Sequence, residues 1–162
     1  MIFWCWQDNL PARRGPALAR WLVALFDPAH PNHDEAHAWF GRSNRDGWAT
    51  TTLTVNGCVR SLSSTSYPTV RARPEEVVRH LRQLCQNPHH RFWSDTTNIL
   101  DPAVVKAELI AGHKNITDIS LLALACRNEG RLVTFDRSIL SKAGVGATPQ
   151  HLEVLGGKRL LQ

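Results

Sequence analysis

The chain has 162 residues, 43% of them hydrophobic, and a formal net charge of +5. This length and composition predict one domain, residues 1–162, with a substantial buried core. No apolar run approaches the roughly 18 residues that a transmembrane helix needs, and the apolar stretch at residues 2–6 is too short for a signal peptide. We therefore expect a cytoplasmic protein without a membrane span.

The basic residues and the cysteines narrow the class of protein further. Fifteen of the nineteen basic residues are arginine, whose guanidinium suits bidentate contacts with phosphate. The charge permits a nucleic-acid partner, but genomic base composition is the simpler explanation and the charge identifies no site. The cysteines form no CxxC pair, so we expect small core residues in a reducing compartment and neither disulfides nor a zinc site. They are Cys5, Cys58, Cys85 and Cys126.

The first half of the chain alternates between short apolar runs and helical patterns. The elements predicted there are an apolar run at residues 22–26, a helix at residues 33–42, a strand at residues 48–51 and a helix at residues 54–62. Asn32 suits the N-cap of the first helix, and Asp27 reads as the turn residue that ends the apolar run. A loop follows at residues 67–74.

The second half continues the alternation, which is typical of a three-layer α/β domain. Pro74 suits the first position of a helix that extends through residue 84, with Glu75 and Glu76 at its positive end. The remaining predicted elements are a strand at residues 91–93, a helix at residues 104–110, a helix opened by Asp118, a strand at residues 131–134 and an edge strand at residues 152–155. We expect Gly130 to take the left-handed conformation that ends the third of these helices.

Two carboxylates stand at the junctions of the last helix and strand. Asp118 opens a helix whose apolar residues recur at helical spacing, and Asp136 follows the strand at residues 131–134. Since ligands bind outside the carboxyl ends of parallel strands, both acids can meet at one edge of the sheet, about 4–8 Å apart, as a metal site requires. Taken alone, each acid also fits an ordinary role, Asp118 at a helix N-terminus and Asp136 in a turn.

Five segments in one order carry a family resemblance. They read LVALFDPAHPNHDEAHAWF from residue 22, GWATTTLTVNGCVRSLS from residue 47, HRFWSDTTNILD from residue 90, GHKNITDISLLALA from residue 112 and GRLVTFDRSIL from residue 130. Together they resemble the PIN-domain ribonucleases, specifically the toxins of VapBC toxin–antitoxin systems, over roughly residues 18 to 155, with residues 1–17 atypical. The resemblance implies a PIN-like three-layer α/β/α sandwich around a mainly parallel twisted sheet.

The same resemblance implies an activity and its partners. The expected function is a toxin endoribonuclease that depends on Mg²⁺ or Mn²⁺, with Asp118 and Asp136 as catalytic metal ligands, and that forms a homodimer restrained by a VapB-type antitoxin. Carboxylate oxygens suit these hard cations, which activate water and neutralise charge on the phosphate. The alternative is a degenerate PIN module that binds antitoxin or RNA without cleaving it. A third reading is a PIN-like nuclease of RNA processing.

The family's two other acids are missing from the matching positions. Leu18 stands where the family has an aspartate nine positions before Asp27, and Val55 stands where it has the glutamate of a Thr-Glu-Asn-Gly word. Activity is therefore expected to be impaired, and Leu18 and Val55 should border the same pocket as Asp118. Two alternatives stay open: Asp8 replaces the first acid after an insertion, or residues 1–20 reflect a shifted frame or start.

Two further groups of residues invite a functional reading. His30, His33 and His37 have the spacing of metal ligands, but we expect no metal role for them. Thr54 and Asn56 keep the family word around the missing glutamate. They either border the acidic pocket or make local hydrogen bonds to the backbone.

Overall fold

The computed structural model describes residues 2–3 and 19–156. The helices are α1 (Ala19–Phe26), α2 (His33–Ser43), α3 (Thr52–Leu62), α4 (Pro74–Leu84) and α5 (Ile116–Arg127). The strands are β1 (Ile2–Phe3), β2 (Trp48–Thr51), β3 (His90–Trp93), β4 (Arg131–Thr134) and β5 (Leu152–Val154). This order confirms the predicted α/β alternation. None of the described helices combines the length and the hydropathy that crossing a bilayer requires.

The strands form one sheet in the order β3-β2-β1-β4-β5. β2 is parallel to β3 and β4 is parallel to β5, whereas β1 is antiparallel to both β2 and β4. Consequently β2, β3, β4 and β5 all run in one direction, which confirms a mainly parallel sheet, and their ends share one edge, the carboxyl edge. β1 ends at Phe3, paired with Arg131 at the start of β4, and therefore at the opposite edge.

Alternate residues of the central strands contribute to two separate clusters, because side chains alternate between the faces of a strand. Trp48 and Val133 pack with residues of α1, α2, α3 and α4, whereas Ala49 and Leu132 pack with α5. The ring of Trp21 meets that of Trp39 edge-on, with the centroids 5.8 Å apart. Burying an indole of about 150–250 Å² contributes about 4–6 kcal/mol as an upper estimate, so these rings anchor α1 and α2.

The histidines of α2 cap the end of α1. His33 Nδ1 lies 2.8 Å from the Ala24 carbonyl oxygen, and His37 Nε2 lies 2.9 Å from that of Leu25. These carbonyls belong to the last turn of α1, where carbonyl oxygens have no N–H donor within the helix. His33 and His37 thus have a structural role at the end of α1. Asn32 occupies the N-cap of α2 but makes no side-chain capping bond.

Two sequence predictions in the second half are wrong. Residues 104–110 form no α-helix: the segment bridges Val105 to Gly144 and keeps only a 3₁₀ turn at Ala107–Leu109. The adjacent β-branched Val104 and Val105 favour such an extended pairing. At the end of α5, Glu129 takes the left-handed conformation with φ 53°, and Gly130 instead donates its N–H to the Ala125 carbonyl at 2.8 Å, the 6→1 bond of a Schellman motif.

Asp27, at the end of α1, is a buried hydrogen-bond acceptor and not a ligand. Its Oδ2 accepts from the hydroxyls of Tyr67 at 2.7 Å and Thr69 at 2.5 Å, and its Oδ1 accepts from the Ala29 N–H at 3.0 Å. Burial alone raises the pKa of this carboxyl, but the bonds from Thr69, Tyr67 and Ala29, together with the charge of His30, outweigh it and lower the pKa. The turn role predicted from sequence is confirmed.

Asp27→Asn is expected to destabilise the fold by about 1.5–3 kcal/mol at neutral pH, since the single amide oxygen cannot accept from both hydroxyls and from the Ala29 N–H, and the amide nitrogen would face a donor. A carboxyl whose pKa is lowered in the folded state contributes stability above its unfolded pKa of about 3.9, and this contribution is lost as the pH falls through the folded pKa. The difference from wild type in urea unfolding should therefore shrink in acid. Asp34→Asn, at an exposed position in α2, is the control, and equal midpoints for Asp27→Asn and wild type at neutral pH would contradict the assignment.

Candidate active site

Helix α5 positions Asp118 at the carboxyl edge. The helix is buried on most sides, and Asp118 occupies its third position with 4% of its surface exposed. The positive end of the helix favours a carboxylate in this first turn. Among the described residues, Asp118 and Asp27 are the two buried acids, and only Asp118 lies in the helix that packs beside β4.

A tight turn after β4 positions Asp136. The Asp136 N–H donates to Thr134 Oγ1 at 2.9 Å. Its Oδ1 accepts from the Ser138 N–H at 2.8 Å and from the Ser138 hydroxyl at 2.6 Å. An aspartate that bonds the backbone two residues ahead is typical of a turn. The carboxylate is half-buried, so it is held in one orientation and still reaches solvent.

A side-chain bridge joins the two elements. Asn115, which precedes α5, donates its amide to Ser138 Oγ at 2.8 Å, and the Ser138 hydroxyl in turn donates to Asp136. The first turn of α5, with Asp118, is therefore tied to the turn that holds Asp136, at the edge predicted for both acids. The separation of about 4–8 Å between the carboxylates stays a prediction.

Sequence reasoning did not identify Asn115 and Ser138 as site residues. Both carried a signal: Ser138 stands two residues after an aspartate, the spacing of a side-chain turn, and Asn115 lies inside the matching word GHKNITD. What the sequence did not show was that the two side chains meet across 23 positions.

The donor set fits a hard divalent cation that the substrate helps to hold. Within residues 2–3 and 19–156, no group of three or more His, Cys, Asp and Glu side chains is arranged to hold a metal. Magnesium, however, is commonly bound by one or two carboxylates with waters and substrate phosphates. Two carboxylates at one edge would meet that minimum, and the role of Asp118 and Asp136 as metal ligands stays a prediction.

Val55 lies in the first turns of α3, half-buried at a small cavity. That cavity is lined by Thr50, Val55, Val78, Leu81, Arg82, Cys85, His90 and Phe92. Its lining includes neither Asp118 nor Asp136, so a pocket shared by Val55 and the two acids stays a prediction. Leu18 and Asp8 lie outside the described residues.

The remaining candidates have structural roles. Thr54 forms a capping box with Thr51: its Oγ1 accepts the Thr51 N–H at 2.8 Å and donates to the Thr51 carbonyl at 3.0 Å, which confirms local backbone bonding. Burial raises the pKa of Cys58 to about 12 and that of Cys126 to about 11. Together with Cys85 these thiols are free, as expected of small core residues, and Cys5 lies outside the described part of the chain.

Comparison with known proteins identifies relatives over most of the chain. It is similar to Ribonuclease VapC44 of Mycobacterium tuberculosis (strain H37Rv), with 42% identity over 137 residues, 83% of this chain and 94% of the relative. It is also similar to Ribonuclease VapC39 of the same strain, with 35% identity over 125 residues, 77% of this chain and 90% of the relative. Ribonuclease VapC38 follows, with 35% identity over 122 residues, 75% of this chain and 84% of the relative. No family model matches the chain.

Proposed function

Since this chain belongs to the VapC family of ribonucleases, we propose that it is the toxin of a toxin–antitoxin pair and cleaves RNA phosphodiester bonds in the cytoplasm. The observation that carries the proposal is the bridge from Asn115 through Ser138 to Asp136. It brings the turn after β4 to the first turn of α5, where Asp118 lies. Two acids on joined elements at the carboxyl edge are what a metal-assisted nuclease needs.

In this proposal Asp118 and Asp136 hold Mg²⁺ or Mn²⁺. When bound, the cation supplies an acidified water and positive charge at the scissile phosphate. The residues around it orient the two carboxylates: the hydroxyl and N–H of Ser138 fix Asp136, and α5 fixes Asp118. Lys114, exposed next to the bridge, adds a positive charge that attracts the RNA backbone.

The proposal extends to the fold and the partners. Helices α1 to α4 pack with one set of strand residues and α5 with the alternate set, which supports a PIN-like three-layer sandwich. A VapB-type antitoxin and a homodimer are proposed on the family membership alone.

A degenerate module that binds antitoxin or RNA without cleaving is the second candidate. The observation that favours it is the absence of any metal-binding group of three or more such side chains among the described residues. Fewer carboxylates mean less charge to hold the cation. Impaired cleavage and no cleavage are therefore the two outcomes to separate.

The test is cleavage of an end-labelled structured RNA by the purified chain, with Mg²⁺ and with an excess of chelator. We expect slow cleavage that chelator abolishes and that Mn²⁺ restores, because the cation is bound by few ligands and depends on the substrate. Cleavage unaffected by chelator would contradict the metal-dependent mechanism. Binding of the RNA with no cleavage under any divalent cation would favour the degenerate module.

A further inference from the structure

An apolar slot opens on the sheet margin, and neither Asp118 nor Asp136 is among its lining residues. It is the cavity that Val55 borders, with a volume of about 260 Å³, and we call it the edge slot. Thr50 and His90 line it from the sheet, Val55 from α3, and Val78 and Leu81 from α4. Apart from the Arg82 side chain at its border, the lining is almost entirely apolar.

An aromatic ring is exposed at the slot. Phe92, on β3, leaves 57% of its surface exposed, and Val78 across the slot leaves 37%. β3 is the end strand in the sheet order, so no further strand of the described chain covers Phe92. A large exposed aromatic beside an apolar cavity is the arrangement that marks a binding surface.

The rim of the slot carries a positive charge. Arg82 on α4 is exposed and borders the slot. Within residues 19–156, its guanidinium forms no ion pair with an acid. An exposed guanidinium of this kind attracts a phosphate of a polyanion.

His90 keeps the floor of the slot uncharged. Its Nε2 lies 3.0 Å from Thr50 Oγ1, and its ring lies 4.4 Å from that of Trp48. Burial is the main cause that lowers the pKa of this imidazole, so the floor is neutral at physiological pH. Positive charge at the rim and none at the floor suit a ligand with a charged backbone and a flat apolar part.

The slot opens near the same edge of the sheet as the candidate active site. β3 and β4 have two strands between them, which corresponds to roughly 14 Å. Phe92 lies near the carboxyl end of β3, and the loop beyond it returns to α5, where Thr97 Oγ1 lies 3.2 Å from Ser120 Oγ. A strand that leaves the slot past the end of β3 therefore leaves toward the edge at which Asp136 lies.

We propose that the edge slot binds one unstacked base of single-stranded RNA, stacked on Phe92, with an adjoining phosphate on Arg82. The slot is smaller than the roughly 300 Å³ of the smallest drug-sized pockets, which suits one flat ring system. Sequence-tolerant stacking on an aromatic beside basic side chains is how proteins hold single strands. The inference rests on the proposed function in one respect only, which is the direction in which the bound RNA runs from the slot.

The test measures binding without cleavage. A short fluorescein-labelled single strand of RNA, and the same strand in a perfect duplex, are titrated in chelator and followed by fluorescence anisotropy. Phe92→Ala should weaken single-strand binding by about 5- to 100-fold and leave duplex binding within about twofold. Phe92→Trp should keep it. Leu100→Ala, at a loop position 85% exposed, is the control and should change neither.

The arginine is tested separately. Arg82→Gln should make the salt dependence of binding shallower by about one unit in the log–log slope, for both forms of RNA. Arg127→Gln is the matched control, because Arg82 and Arg127 are both exposed and both lie in the last turn of a helix.

The outcomes separate this inference from the proposed function. Wild type that fails to bind the single strand, or Phe92→Ala that binds it as wild type does, overturns the edge slot even if cleavage is observed. Selective loss in Phe92→Ala supports the slot even if wild type never cleaves. A change of sedimentation in Phe92→Ala, with unchanged RNA affinity, would assign the surface to contact between chains and overturn the proposal.

Discussion

We expect chelator-sensitive RNA cleavage to fall by more than about a hundredfold in the Asp118→Asn variant. Removing a group that only supports a metal ligand costs about 10- to 100-fold, and Asp118 is proposed as a ligand itself. The amide has the shape of the carboxylate but no charge, so the loss isolates the electrostatic role. Initial rates with labelled RNA at one Mg²⁺ concentration provide the measurement.

The control variant for Asp118→Asn should remove the same kind of carboxylate from the same end of a helix. Asp34 lies in the first turn of α2 and is exposed, so Asp34→Asn changes the same group at the same end of a helix and should cleave as wild type does. Circular dichroism and thermal unfolding confirm that Asp118→Asn remains folded. Strong chelator-sensitive cleavage that survives in folded Asp118→Asn would place the catalytic site elsewhere.

Val55→Glu is expected to raise Mn²⁺ affinity by roughly tenfold or more, because each carboxylate adds a ligand and attracts the cation. Val55 lies in the first turns of α3, directly after the carboxyl end of β2, where a helix end favours the negative charge. Adding Leu18→Asp should raise the affinity further. Calorimetric titration of Mn²⁺ measures the affinity, and the cleavage rate should rise with it.

Val59→Glu is the matched control, one turn further along the same helix and equally half-buried. It adds the same charge away from the carboxyl edge and should leave the affinity unchanged. The gain from Val55→Glu should also vanish in the presence of Asp118→Asn, since the two groups share one cation. Equal Mn²⁺ affinities for Val55→Glu, Val59→Glu and wild type would show that Val55 does not border the two acids.

Periodicity and end signals predicted most of the helices and strands of this fold. The start of α4 followed from Pro74 and its acidic first turn, and Glu76 indeed accepts the Arg73 N–H at 2.7 Å. The helix predicted at residues 104–110 was wrong because helical spacing carries no information about a distant pairing partner. In the structure Lys106 donates its N–H to the Ala143 carbonyl at 2.8 Å. Contacts between such distant segments leave no trace in local pattern.

For the candidate site too, local features could be predicted from the sequence and contacts between distant segments could not. The sequence predicted that Asp118 and Asp136 stand at a helix start and a strand end, because both features are local. It did not reveal the bridge between Asn115 and Ser138, which forms only when α5 packs beside β4. The roles of His33 and His37 were equally hidden, since the carbonyls that they cap belong to another helix.

The most direct measurement of the central claim is the anomalous difference map of crystals soaked in Mn²⁺. The strongest peak should lie in direct contact with carboxylate oxygens of both Asp118 and Asp136, beside the turn that Ser138 holds. A control crystal of Asp118→Asn should lose most of this peak. A strongest peak bound by other groups, such as the histidines of α2, would contradict the assignment of these two acids as the metal site.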